Sequence, residues 1–205
     1  MPTSLCRLPT LPLAALAFVL ALGAATSAHA QRWDHDRGYG EEHEGVYFAA
    51  GIGGGLQLIN DENGDQDGQL AGQAEIRFGY SFNRIFQIYL DADLSGSSHT
   101  AAGLGTVSAD DVMLGLRYFL YANRFVGVYA RVGLGMGIVT GAINDNGDTS
   151  TEYGIAEAYA LGMELRMGGP GNKWALTPEV FFRRTNETQY SLTDTIGLGI
   201  LLNFN

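Results

Sequence analysis

Lysine and cysteine are almost absent from this sequence. Of the 12 basic residues only Lys173 is a lysine, and the one cysteine is Cys6, so an intramolecular disulfide is excluded. Charged residues make up 17% of the chain, against about 25% in an average soluble domain. The formal net charge is −10. This balance argues against a nucleic-acid partner, which would need a basic patch.

Long apolar runs are missing after residue 30. Residues 1–30 combine Arg7, an apolar run over 11–22 and the small-residue pattern of Ala28 and Ala30, which predicts a cleaved signal peptide. A membrane anchor is the alternative, but it would need about 20 apolar residues. Residues 31–44 are predicted to be a flexible polar segment, in which His35 and His43 offer at most a weak metal site. If residues 45–205 enter a membrane, they must do so as a barrel.

Beyond residue 45 the chain alternates between apolar and polar positions with a period of two, which indicates strands with two unlike faces. In one segment Ala74, Ile76 and Phe78 alternate with Glu75 and Arg77. Seven further segments repeat the pattern, beginning near residues 46, 86, 112, 126, 158, 176 and 195. Because no helical segment remains to cover a sheet, we predict an all-β fold, an eight-stranded antiparallel up-and-down transmembrane β-barrel.

The predicted connections alternate in length. Residues 83–84, 122–124 and 168–173 form short turns, whereas 60–69, 96–109, 141–153 and 185–193 form longer loops. Short turns at one end and long loops at the other are typical of outer-membrane barrels, with the short turns in the periplasm. Aromatic residues also gather near both strand ends, as expected for the two membrane interfaces.

A soluble barrel of the lipocalin kind would show the same alternation with its apolar face inside. The polar face, however, is rich in glycine, and all its bases are arginine, which can hold carboxylates bidentately. We therefore expect the polar face to point inward and to form an ion-pair network. Its predicted members are Glu75, Arg77, Asp91, Asp93, Asp111, Arg117, Arg131, Glu164, Arg166, Glu179 and Arg183.

The C-terminal pattern of Gly199, Leu202 and Phe204 resembles the signal that the outer-membrane assembly machinery reads. Together with segments 115–120 (GLRYFL) and 161–167 (LGMELRM), it makes residues 46–205 similar to the OmpA/OmpX-type barrel superfamily. The resemblance implies an outer-membrane location and a polar, internally paired core. It also implies contacts with outer-membrane lipids, lipopolysaccharide and the assembly machinery.

Two functions remain open for the interior. Eight strands leave an interior about wide enough for side chains to fill, so a plugged, non-enzymatic barrel serving membrane integrity or surface interaction is the leading hypothesis. A narrow, porin-like path for small solutes, gated by re-pairing of Arg77, Arg117 or Arg131 with carboxylates, is the alternative.

The predicted loops suggest weaker chemistry. Asn63, Asp65 and Asp67 resemble the front half of a calcium loop, but the bidentate acid at its last position is missing, so only weak divalent-cation binding is a candidate. Adhesion through acidic loops is a second alternative function. His99 lies beside Ser97 and Ser98, with Asp110 a conceivable partner, but adjacent residues on an extended segment rarely converge. We expect no enzyme activity and no cofactor.

Overall fold

Eight strands account for nearly all of the chain that the computed structural model describes, residues 45–60, 66–83, 85–99, 105–123, 125–142, 149–167, 174–187 and 192–204. The strands are β1 (Gly45–Asn60), β2 (Gln66–Ser81), β3 (Phe86–His99), β4 (Gly105–Ala122), β5 (Val126–Ala142), β6 (Thr149–Arg166), β7 (Trp174–Glu187) and β8 (Leu192–Phe204). Within these ranges no helix is long and apolar enough to cross a membrane. The predicted signal peptide and residues 31–44 lie outside the described residues.

Each strand pairs antiparallel with the next, and β8 pairs with β1, so the sheet closes into a barrel. This confirms the predicted fold class. No strand edge is left unpaired along the closed sheet, which removes the usual route to edge-to-edge aggregation.

The strands are staggered around the barrel. Following directly paired residues once around from Phe48 returns to β1 at Leu58, ten residues further along (58 − 48 = 10). The path passes through Phe78, Leu90, Leu114, Leu134, Glu157, Arg184 and Asp194. With a rise of about 3.3 Å per residue and a strand spacing of about 4.8 Å, this stagger corresponds to a tilt of about 40°.

The two faces of the alternating pattern separate as expected. On β2, Ile76 and Phe78 are each 55% exposed, whereas Arg77 between them is fully buried. The same alternation runs along the other strands, with large apolar side chains pointing outward. Polar and charged side chains fill the interior, which is the reverse of a soluble ligand-binding barrel.

The strands extend further than the sequence pattern predicted. Connections expected over 60–69, 96–109, 141–153 and 185–193 shrink to 61–65, 100–104, 143–148 and 188–191, because the flanking residues continue the antiparallel pairing. These extensions carry polar residues on their outward face, for example Ser98 paired with Thr106. A strand needs an apolar outward face only where apolar surroundings cover that face. The loss of alternation in these segments therefore indicated a more polar environment around the strand and did not indicate a loop.

Candidate functional site: the charged barrel interior

Three arginines, Arg77, Arg117 and Arg131, are the largest fully buried side chains among the described residues. They lie on β2, β4 and β5 and point into the barrel from different sides. A buried charge without a partner is very unfavourable, so the positions of the interior carboxylates decide how this arrangement is stable.

Glu179 on β7 is the centre of the interior network. Its carboxylate lies 2.9 Å from Arg131 and 3.0 Å from Arg77, and it accepts a hydrogen bond from the hydroxyl of Tyr129. Arg77 also pairs with Glu75 two residues earlier on its own strand. Three strands, β2, β5 and β7, are thereby joined through one carboxylate and its partners.

Glu75 and Asp91 extend the network towards the end of the barrel where 61–65 and 100–104 connect the strands. Arg183 contacts Glu75 at 2.9 Å and also pairs with Asp93, while Arg131 lies 3.1 Å from Asp91 and 3.5 Å from Glu75. Glu75 therefore has three arginine partners. One carboxylate therefore offsets part of the positive charge of three arginines on different strands.

The remaining predicted network members lie nearer the two ends. Asp111 accepts a hydrogen bond of 3.1 Å from Thr185. At the short-turn end, Arg166 pairs with Glu164 at 2.9 Å and donates to the backbone carbonyl of Asn123. Arg166 is 14% exposed, so it belongs to the rim of the interior rather than to the central network.

Three buried tyrosines form a second interior feature, which the sequence analysis did not single out. Tyr47, Tyr89 and Tyr129 stand opposite glycines on the next strand, in the pairs Tyr47–Gly79, Tyr89–Gly115 and Tyr129–Gly162. A Cβ added at any of these glycines would collide with the tyrosine ring. A tyrosine on the polar face opposite a glycine would have predicted this packing. Recognising such a pair requires the register of the two strands, which the sequence alone does not give.

The tyrosine rings also contact the arginines. The guanidinium carbon of Arg117 lies 4.3 Å from the ring centre of Tyr129, and those of Arg77 and Arg131 lie 5.0 Å and 5.8 Å from that of Tyr89. These distances are within the range of cation–π attraction. The rings thus stabilise buried positive charge as well as filling the space above the glycines.

The outer part of the interior contains an apolar cluster among buried polar side chains. Ile59 of β1 packs with Val107, Ala109 and Val139 of β4 and β5, on the opposite side of the barrel. Each of these side chains is at most 9% exposed. Aliphatic side chains from opposite walls therefore meet across the interior near the 61–65 end.

The weaker candidate sites do not assemble in the described chain. Asn63 and Asp65 lie outside the described residues, Asp67 belongs to β2, and no group of three potential metal ligands occurs in the part of the chain that the structure describes. Ser97 is buried and donates to Gln57, whereas Ser98 next to it is on the exposed face with Asp110. Adjacent strand residues point to opposite faces, so Ser97 and Asp110 cannot share a reaction centre.

A family model described as an outer membrane protein beta-barrel domain matches residues 14–204. The chain belongs to this family. The polar interior and apolar exterior are the arrangement that an outer-membrane barrel requires, since its outward side chains meet lipid. No curated protein matches the chain in sequence.

Solved structures agree with the outer-membrane barrel fold. The attachment invasion locus protein Ail of Yersinia pestis is similar over 78% of this chain and 99% of its own, with 16% identity and a TM-score of 0.51. Neisserial surface protein A matches over the same shares, with 11% identity and a TM-score of 0.57. Identities this low describe a common fold.

The height of the lipid-facing band of this outer-membrane barrel can be estimated from β7 and β8. Ten residues separate Phe204 from Asp194 on β8 (204 − 194 = 10) and Trp174 from Arg184 on β7 (184 − 174 = 10). At a tilt of about 40° this is about 25 Å along the barrel axis, the usual height of the lipid-facing band. Arg184 and Asp194 therefore mark one edge of the band, and Phe204 and Trp174 mark the other.

A ladder of three charged residues lies at the edge that Arg184 and Asp194 mark. Glu157, Arg184 and Asp194 are direct neighbours across β6, β7 and β8, and Arg184 holds Asp194 bidentately at 2.8 and 2.9 Å. Arg184 is the one outward-facing basic residue on the described strands, and its guanidinium lies over the ring of Phe182. Sequence analysis missed this ladder because its three members are far apart in the chain.

The residues of the predicted assembly signal lie on the closing strand. Gly199 is on the inward face, while Leu202 and Phe204 point outward and are 41% and 49% exposed. The ring of Phe204 lies 6.5 Å from that of Phe48 on β1. The terminal aromatic residue thus sits at the junction of the first and last strands.

Proposed function

We propose that this outer-membrane barrel is a non-enzymatic, closed membrane scaffold that serves membrane integrity or surface interaction. The observation that carries the proposal is the network around Glu179, in which Arg77, Arg131 and Tyr129 meet one carboxylate. These side chains come from different walls and are at most 3% exposed. A solute would have to break several buried ion pairs to pass, which is strongly unfavourable.

The aliphatic cluster of Ile59, Val107, Ala109 and Val139 supports the same proposal. It places aliphatic side chains from opposite walls in contact near the outer end of the interior, and hydrophobic constrictions in pores exclude ions by excluding water. A solute crossing the barrel would therefore meet two successive barriers, the aliphatic cluster and the ion-pair network around Glu179.

Planar-bilayer recording tests the closed scaffold. We expect the purified, refolded protein to give no stable ion conductance at moderate voltage. Stable unitary openings of the unmodified protein would refute it. A variant that removes both barriers, Glu179→Ala with Ile59→Gly and Val107→Gly, provides the positive control if it folds, and a folded but silent variant would place the barrier elsewhere.

A narrow solute path is the second candidate. The observation that favours it is the sharing of Glu75 among Arg77, Arg131 and Arg183, since a carboxylate with three partners can exchange one pair for another. Under this alternative, conductance would appear in the unmodified protein and would change in Glu75→Gln. Adhesion through the acidic loops remains a prediction, because those loops lie outside the described residues.

We further propose that residues 1–30 are removed as a signal peptide, and that Gly199, Leu202 and Phe204 are read by the assembly machinery. Mass spectrometry of the protein from membranes tests the first point, with Gln31 expected as the new N-terminus. Lipids and lipopolysaccharide are the proposed surroundings of the apolar outer face.

A further inference from the structure

Two arginines stand directly opposite one another inside the barrel. Arg117 of β4 pairs with Arg131 of β5, and both side chains point inward and are buried. Like charges at directly opposed positions are destabilising. Arg131 is neutralised, because Glu179 lies at 2.9 Å and Asp91 at 3.1 Å. Arg117 is not neutralised in the same way.

The carboxylates nearest to Arg117 are committed to other partners. Glu164 lies 3.7 Å from Arg117 but 2.9 Å from Arg166, and Glu179 lies 3.8 Å from Arg117 but 3.0 Å from Arg77. One short contact remains, a hydrogen bond of 3.2 Å from Nη1 of Arg117 to Gln87. The Nε and Nη2 atoms of Arg117 have no hydrogen-bond partner among the described residues.

A third buried donor lies on the same side of the interior. The hydroxyl of Tyr47 is also without a hydrogen-bond partner in the described part of the chain, and Tyr47 is 1% exposed. The guanidinium carbon of Arg117 lies 5.4 Å from the centre of the Tyr47 ring and 6.0 Å from that of Phe119. A buried donor without an acceptor is destabilising, so three such donors in one region call for an acceptor.

A row of three further acids lies away from Arg117. Glu75, Asp93 and Asp111 form one continuous row across β2, β3 and β4. On β4, Asp111 is six residues from Arg117 (117 − 111 = 6), which is about 20 Å along the strand. This row of three acids therefore lies nearer the outer end than Arg117 does, which leaves Glu164 and Glu179 as the acids beside Arg117.

We propose that Arg117 and Tyr47 bind a small inorganic anion of the halide class inside the barrel. Nε and Nη2 of Arg117 and the hydroxyl of Tyr47 donate to it, and charge-assisted donation of this kind is strong. The rings of Tyr47, Phe119 and Tyr129 lie around the guanidinium, so we expect this position to accept a small anion in preference to a large one. The bound anion adds to the two long contacts that Arg117 makes with Glu164 and Glu179.

Thermal unfolding of the purified, detergent-solubilised protein tests the site, with bromide as the probe. We expect the Tm to rise with the logarithm of bromide concentration above the dissociation constant. Sodium gluconate at the same ionic strength should give no such rise, because its anion is too large. Crystals grown in bromide should show an anomalous peak between Arg117 and the Tyr47 hydroxyl.

Matched variants separate this site from general salt effects. Arg117→Gln should abolish the difference between bromide and gluconate, and Tyr47→Phe, which removes one oxygen atom, should weaken bromide binding. Arg183→Gln should keep the bromide dependence, because Arg183 is also a buried arginine but is paired with Glu75 and Asp93.

Equal Tm values in bromide and gluconate for the unmodified protein would overturn the proposal and indicate that water satisfies these donors. A bromide anomalous map with peaks at other positions but none between Arg117 and the Tyr47 hydroxyl would also overturn the proposal. Should Arg117→Gln fail to fold, Tyr47→Phe decides the matter, since an unchanged bromide affinity in that variant contradicts the assigned site.

Discussion

The ring of Tyr129 on β5 covers Gly162 on β6, in the space that a side chain at position 162 would occupy. The same relationship joins Tyr89 to Gly115 and Tyr47 to Gly79. Because the Tyr129 hydroxyl donates to Glu179, the glycine fixes the ring that in turn helps to hold the central carboxylate. A small residue on one strand thus positions a charge on another.

Replacing Gly162 by valine should destabilise the barrel by about 1–3 kcal/mol, the usual result of forcing extra atoms into a packed interior. The ring of Tyr129 would have to move away from Glu179. Urea-induced unfolding in lipid vesicles measures the change. Gly72→Val is the matched control, because a Cβ at Gly72 meets nothing within 4 Å. Equal destabilisation in the two variants would contradict the proposed role of the ring.

Replacing Glu179 by glutamine should be more damaging, by about 3–5 kcal/mol, because Arg77 and Arg131 would each lose a buried partner. The same unfolding experiment measures it. Glu157→Gln removes a carboxylate from the outward ladder and should have an effect of about 1 kcal/mol or less. The prediction is wrong if the two glutamine variants unfold at similar urea concentrations.

The outward pair of Arg184 and Asp194 should contribute a coupling energy of about 1 kcal/mol. The contact is bidentate, which favours it, but Arg184 is 34% exposed, and screening limits exposed pairs. A double-mutant cycle with Arg184→Gln and Asp194→Asn measures the coupling. Purely additive effects of the two substitutions on the free energy of unfolding would show that the pair makes no net contribution to stability.

Replacing Phe204 by alanine should slow insertion in cells more than it lowers the stability of the inserted barrel. Phe204 belongs to the proposed assembly signal and also contacts Phe48 across the β1–β8 junction. The fraction with heat-modifiable gel mobility, followed after a pulse of synthesis, reports insertion. Phe182→Ala removes an outward aromatic near the opposite edge and serves as the control. Equal insertion rates for both variants would argue against a special role for the terminal residue.

The sequence was enough to predict the strand number, the closure and the inward-facing residues, because all three follow from local alternation. Arg77 and Glu75 could be placed inside from their own segment alone. The contact of Arg77 with Glu179 could not, since it joins strands about a hundred residues apart and depends on the register. The outward ladder and the opposed arginines, Arg117 and Arg131, depend on the register in the same way.

Strand ends were predicted least well for a related reason. The segments beyond the lipid-facing band lose their alternation, so Ser98 and Thr106 looked like loop residues although they pair across β3 and β4. Alternation reports what surrounds a strand, whereas pairing decides where the strand ends.

The pairing of β1 with β8 also bears on the order in which strand pairs are expected to form during folding. Phe48 meets Phe204, so this contact joins residues separated by most of the described chain, while every other strand pair is a neighbouring hairpin. Contacts between residues distant in the chain form slowly. We therefore expect the hairpins to form early and the β1–β8 seam to close last. Until then two open edges persist, and this interval is when the chain most needs a chaperone at its ends.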